Sequence, residues 1–139
     1  MLRSLIATAT VMLALVGNHG AVRPVAVAQL GPGATIHAAL DGFNTADCAT
    51  IYAATAPWAR GNQPRAATIA ACRQGFTDGY HQGVTLLRLT VDGPGRYLSV
   101  GAYRQPLRLR RVTQGRAMTV RETMQLTRWH GQWYVLALW

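Results

Sequence analysis

Residues 122–138 read ETMQLTRWHGQWYVLAL, and the way this stretch folds back on itself decides the fold. His130–Gly131 is a two-residue turn signal between alternating strand-like runs, which reads as an antiparallel hairpin. A two-residue turn fixes the register: Arg128 is expected opposite Trp133, Leu126 opposite Val135, Met124 opposite Ala137 and Glu122 opposite Trp139. Side chains along a strand alternate between faces. One face then carries Met118, Val120, Met124, Leu126, Trp133, Val135, Ala137 and Trp139, interrupted by Glu122 and Arg128. The other carries Thr123, Gln125, Thr127 and Trp129 beside Gln132, Tyr134, Leu136 and Leu138. The first face is expected to pack on the core, with Trp133 and Trp139 inside it.

The period of two extends upstream of the hairpin. VTLLRLTV (84–91) reads as a strand, DGPG (92–95) as a turn, and RAMTVRETMQLTRW (116–129) as one long strand. RYLSVGAYR (96–104) and LRLRRVT (107–113) read as two strands divided at Pro106 by a bend or bulge. Before residue 84 the period is helical. Ile36, Ala39, Leu40 and Phe43 form one stripe, Cys48, Ile51, Tyr52 and Thr55 a second, and Ile69, Cys72 and Phe76 a third. Asp47 suits the N-cap of the second helix, and Pro57 stops that helix. Pro64 suits the first turn of the third helix, and Gly75 its terminator. Residues 79–83 then read as a glycine-rich loop holding Tyr80 and His81. Helices first and strands afterwards give an α+β architecture, with no internal repeat and no second domain.

The chain has 139 residues, a formal net charge of +9 and a basic complement that is entirely arginine. Its start has the form of an export signal. Arg3 precedes the apolar run LIATATVMLALV (5–16), which is too short to span a bilayer, and AVA (26–28) meets the small-residue cleavage rule. Residues 1–28 are therefore expected to be a signal peptide and 29–139 the mature domain, secreted or held in the cell envelope. Loss of Arg3 and Arg23 lowers the charge to +7. No second apolar run is long enough to span a bilayer, so no stable membrane association is expected after cleavage. In an oxidising compartment the two cysteines, Cys48 and Cys72, are expected to form one disulfide joining the inward stripes of helices two and three; two buried thiols are the alternative.

ALDGFNTADCATIYAATAPW (39–58) resembles the opening of NTF2-like domains, where a first helix ends in an Asn/Asp-containing turn and the next runs into a Pro-terminated loop. ETMQLTRWHGQWYVLAL resembles their last hairpin. The resemblance covers nearly all of residues 34–139 and rests on pattern and spacing. It implies a cone: three N-terminal helices packed on a curved antiparallel sheet of four to five strands, with a pocket at the open end. The superfamily includes ketosteroid isomerase-like and polyketide cyclase-like (SnoaL-type) enzymes as well as non-catalytic binding domains, so the fold does not fix the function.

The sequence offers few groups for chemistry. Glu122 is the only glutamate and alternates with apolar positions. Burial would raise its pKa and make it a pocket acid–base. The competing readings are an ion pair with Arg88 or Arg111, or a bulge that turns it to solvent. Tyr52, Tyr80, His81 and Trp139 are the other expected pocket residues. His37 and Asp41, at i and i+4, fall off the apolar stripe and read as a surface pair. No histidine spacing suggests a metal, no phosphate loop follows a strand, and no cofactor is expected. The function expected is binding of a small apolar ligand or a protein partner without catalysis, the alternative being an isomerase or cyclase that uses Glu122. Tyr134, Leu136 and Leu138 are expected to face outward and support a homodimer. Arg108 and Arg110 share a strand face, available to an anionic envelope component; nucleic acid is not expected to be a partner.

Overall fold

A computed structural model describes residues 31–138. The expected signal peptide and Trp139 lie outside the described residues. Three helices precede five strands: α1 Gly33–Asn44, α2 Cys48–Ala54, a 3-10 turn at Pro57–Ala59, α3 Arg65–His81, then β1 Val84–Val91, β2 Arg96–Ser99, β3 Ala102–Thr113, β4 Arg116–Trp129 and β5 Gln132–Leu138. Every strand pairing is antiparallel, in the order β1-β3-β4-β5, with β2 pairing the far end of β3.

The helical stripe of α1 becomes the centre of the core. Ile36 and Leu40 are buried with Leu89, Leu107, Met124, Leu126 and Trp133, and Ala39, Phe43, Tyr103, Leu109 and Val135 pack around them. Register explains the selection. Leu89 lies opposite Leu109 and thence Val120; Tyr103 lies opposite Leu126 and Gln105 opposite Met124. These positions share the inner face of the sheet, toward the helices. Gly42 lets α2 approach α1 closely, since a β-carbon there would stand 3.1 Å from the Ile51 side chain. Two hydrogen bonds tie the helices to β5: Thr35 Oγ1 donates to the Trp133 carbonyl (3.0 Å) and Ala56 N to the Val135 carbonyl (2.8 Å). Asn44 serves the opposite edge. Its Nδ2 donates to Leu89 O (2.8 Å) and its Oδ1 accepts from Leu89 N (2.7 Å), so one side chain satisfies the two main-chain groups that Leu89 would otherwise offer to a further strand.

Both cysteines are joined. Cys48–Cys72 links α2 to α3 with Cα atoms 5.9 Å apart. The bond matters because α3 has no buried residue. Its packing rests largely on Phe76, which meets Phe43 edge to face at 5.6 Å.

Four local expectations are corrected. Gly75 does not end α3; the helix runs through Gly79 to His81 and stops where Gly83 adopts φ +87°. Tyr80 and His81 therefore sit on a last helical turn and not in a loop. Residues 96–104 are not one strand, because the chain turns at Val100–Gly101 between β2 and β3. Strand β3 runs unbroken through Pro106, which stands just past the Val91–Leu107 pair where β1 ends. Its missing N–H falls in the gap between β1 and β2, and its carbonyl accepts from Asp92 N (3.0 Å).

The fourth correction concerns the closing hairpin. The turn is as expected, with positive φ at His130 (48°) and Gly131 (79°), and Arg128–Trp133 and Leu126–Val135 pair in the expected register. Beyond them the register slips by one residue at a bulge, so that Gln125 faces Ala137 and Met124 faces Leu138. Leu138 thereby joins the inner face beside buried Met124, where a regular hairpin would have placed Ala137.

Candidate functional site

The bulge builds the wall of a cavity. Five elements converge on a space of about 210 Å³: Ala39 and Phe43 from α1, Ile51 from α2 with Thr55 and Ala59 beyond it, Leu89 from β1, Met124 from β4, and Val135–Leu138 from β5. Among the described residues, the only polar side chain in this wall, Thr55, already donates its hydroxyl to the Ile51 carbonyl at 2.8 Å, and no titratable side chain lines the space. Such a wall attracts apolar matter through dispersion and water release and offers nothing to move a proton.

The residues expected to form a pocket do not meet. Tyr52 lines an adjoining recess, which shares Ile51, Thr55 and Ala59 with the cavity, together with Cys48, Arg60, Thr68 and Cys72, and the Arg60 guanidinium lies 4.5 Å above its ring. Tyr80 borders a groove between α3 and β1, about 270 Å³, walled by Cys72, Phe76, Val84 and Leu87. His81 is exposed at the end of α3 and lines none of these spaces. His37 and Asp41 are both exposed on α1.

Glu122 sits on the inner face opposite buried Leu107, beyond the point where β5 ends. It is half-buried and does not line the apolar cavity. Among the described residues it makes neither an ion pair nor a hydrogen bond. The expected arginine partners fail for different reasons. Arg88 lies on the outer face, paired with Arg110, while Arg111 shares the inner face but stands opposite Met118, four residues from Glu122 along β4.

The outward row of Tyr134, Leu136 and Leu138 is also corrected. Leu136 and Leu138 line the cavity, because the bulge rotates the end of β5. Tyr134 remains beside Trp129, at 6.3 Å between ring centroids, and Trp129 meets Trp58 edge to face at 5.6 Å. Of the cavity-lining residues, Ala39, Phe43, Ile51, Thr55, Met124, Val135 and Ala137 read in the sequence as inward-facing. The available signal was VLAL (135–138), which is apolar at every position where a half-exposed strand would alternate.

No protein-family model matches the chain, and neither does any curated protein. Among solved structures, a designed NTF2-like protein matches with a TM-score of 0.51 and 16% identity, over 74% of this chain and 90% of that one. A SEC-C motif containing protein from Rhodopseudomonas palustris matches with a TM-score of 0.50 and 17% identity, over 71% of this chain and 70% of that one. Three helices on a curled five-stranded antiparallel sheet, together with these likenesses, make the fold NTF2-like. At this identity the likeness concerns the fold alone.

Proposed function

We propose that this chain is an exported, non-catalytic NTF2-like domain whose cavity holds a small apolar ligand. The observation that carries the reading is the cavity wall: apolar side chains from five elements, with its one hydroxyl already satisfied. Size narrows the occupant. About 210 Å³ exceeds the ~150 Å³ of a benzene-binding cavity and falls short of the ~300 Å³ at which drug-sized pockets begin. A single ring with a short substituent, or a short acyl chain, fits that range. The acid–base alternative is less well supported, because Glu122 stands outside the cavity and, among the described residues, no histidine or tyrosine lines it. The disulfide is compatible with an extracytoplasmic setting, and no helix among the described residues is long and apolar enough to cross a membrane.

Isothermal titration calorimetry with the neutral single-ring ligand n-butylbenzene tests the proposal. The wild-type protein should bind it saturably. Met124→Trp, which fills the space, and Leu136→Arg, which sets a charge in its wall, should each abolish binding while circular dichroism shows a folded protein. Equal binding by folded Met124→Trp would refute the cavity as the site.

A further inference from the structure

We infer that the outer face of the sheet, opposite the helices, is a docking surface for a linear phosphodiester polymer. The inference is independent of the cavity and rests on strand register. Arg96 lies opposite Arg104, Arg88 opposite Arg110, and Arg108 opposite Arg121. Positions 104, 108 and 110 differ by even numbers along β3, so all three pairs share one face. Like charges set directly opposite each other destabilise a sheet, and this sheet carries three such pairs. One carboxylate relieves one of the three: Asp92 reaches Arg108 at 2.6 Å and its opposite number Arg121 at 3.7 Å. Among the described residues no other acid pairs with this face.

A compositional preference for arginine explains why these residues are not lysine, but not why they gather here. Residues 31–83 carry three arginines and three aspartates, whereas residues 84–138 carry nine arginines against Asp92 and Glu122. The excess belongs to the sheet. Thr90, Thr119, Thr123 and Gln125 stand between the arginines on the same face, while the exposed Trp129 shares that face but lies beyond Gln125, past the end of the row. A row without an apolar wedge among its charges suits a hydrated polymer better than a bilayer.

The geometry also selects the ligand. Arg104 to Arg110 spans six residues, about 20 Å at ~3.3 Å per residue, so the charges form a row along β3 and not a ring around a hollow. A row matches a chain. Within each pair, guanidinium groups rise from neighbouring strands and approach one anion from two sides. Asp92 shows one such pair holding a single anion between two strands, Arg108 on Oδ1 and Arg121 on Oδ2, and a phosphodiester, whose two anionic oxygens belong to the polymer backbone itself, can be held in the same way at the pairs that Asp92 leaves open.

The test measures binding of poly(glycerol phosphate) by calorimetry across a salt series, with polygalacturonate at matched charge and phosphatidylglycerol-containing vesicles as parallel arms. Arg88→Gln/Arg110→Gln removes one pair; Arg65→Gln/Arg73→Gln on α3 removes the same charge elsewhere. The phosphodiester polymer should bind best, and its affinity should fall steeply with salt. The sheet variant should weaken it about tenfold or more and reduce the logarithmic salt slope by about 2, while the helix variant stays within about twofold of wild type. Equal weakening by the two variants would reduce the effect to net charge and overturn the inference. So would equal or tighter binding of polygalacturonate, preference for vesicles, or no binding of the polymer at low salt.

Discussion

At Asp47 one carboxylate holds the start of a helix. It accepts from Ala49 N (3.1 Å), Thr50 N (3.2 Å) and the Thr50 hydroxyl (2.7 Å). The Thr50 hydroxyl, then the Thr50 amide, hold its pKa below the ordinary aspartate value. A folded-state pKa below the unfolded one adds stability above the unfolded value, and that contribution disappears as pH falls through the folded one. Thermal melts should therefore show Asp47→Ala less stable than wild type at pH 7, with the gap closing in strong acid. Asp47→Asn, which keeps an acceptor, should lose less. Glu122 makes the opposite case. Without a partner among the described residues, Glu122→Gln should change unfolding free energy by no more than about 0.5 kcal/mol, and Glu122→Val should stabilise beside Leu107. Urea titration decides; a loss of several kcal/mol in Glu122→Gln would reveal a buried ion pair. The capping role of Asp47 is legible in sequence because its partners lie within three residues. The inner-face position of Glu122 is legible from strand parity. Its lack of a partner is not, since that depends on which arginines the pairing of β1 with β3 turns inward.

Among the elements, α3 depends most on a single link. With no buried residue and one aromatic contact, it is held chiefly by Cys48–Cys72. In the chain-entropy model a bridge across 24 residues contributes about 3–4 kcal/mol. Cys72→Ser should cost about that much. Hydrogen exchange should rise over residues 65–81 well before it rises in β3 and β4, whose long pairing and buried Leu107 and Leu126 do not involve the bridge. Uniform acceleration would contradict a local tether. The start of α2, the two-residue turn and the cysteine pair were all readable, because each depends on near neighbours or on a partner of the same kind. The end of α3 was not: Gly75, Gly79 and Gly83 look alike in sequence, and only Gly83 takes the left-handed conformation that stops a helix. Nor was the slip in β5, since nothing in VLAL distinguishes a bulged leucine from a paired one. The cavity was hidden for the same reason, as its existence depends on that slip.

For the molecule as a whole, the governing asymmetry is electrical. The helical half is balanced and the sheet half strongly positive. Self-repulsion of this kind weakens as salt screens it. Scanning calorimetry should show Tm rising from low to moderate sodium chloride, and rising less in Arg88→Gln/Arg110→Gln. A two-fold dimer formed face to face across the sheet would oppose two arginine rows, and the bulge has already withdrawn Leu136 and Leu138 from such a contact. Sedimentation at micromolar concentration and low salt should accordingly give a monomer; a stable dimer there would require contacts beyond the arginine row, such as the exposed Trp58 and Trp129 at the end of β4. The two candidate sites are also back to back, because the arginine pairs occupy one face of the sheet while Leu89, Met124 and Val135 line the cavity from the other. A copy moored by its arginines would keep its cavity turned to the surrounding fluid, so cargo could come and go without the mooring being released. Mooring would then concentrate a population of such chains without emptying or blocking any of them, making the immobilised protein a reservoir whose capacity scales with the length of polymer it coats.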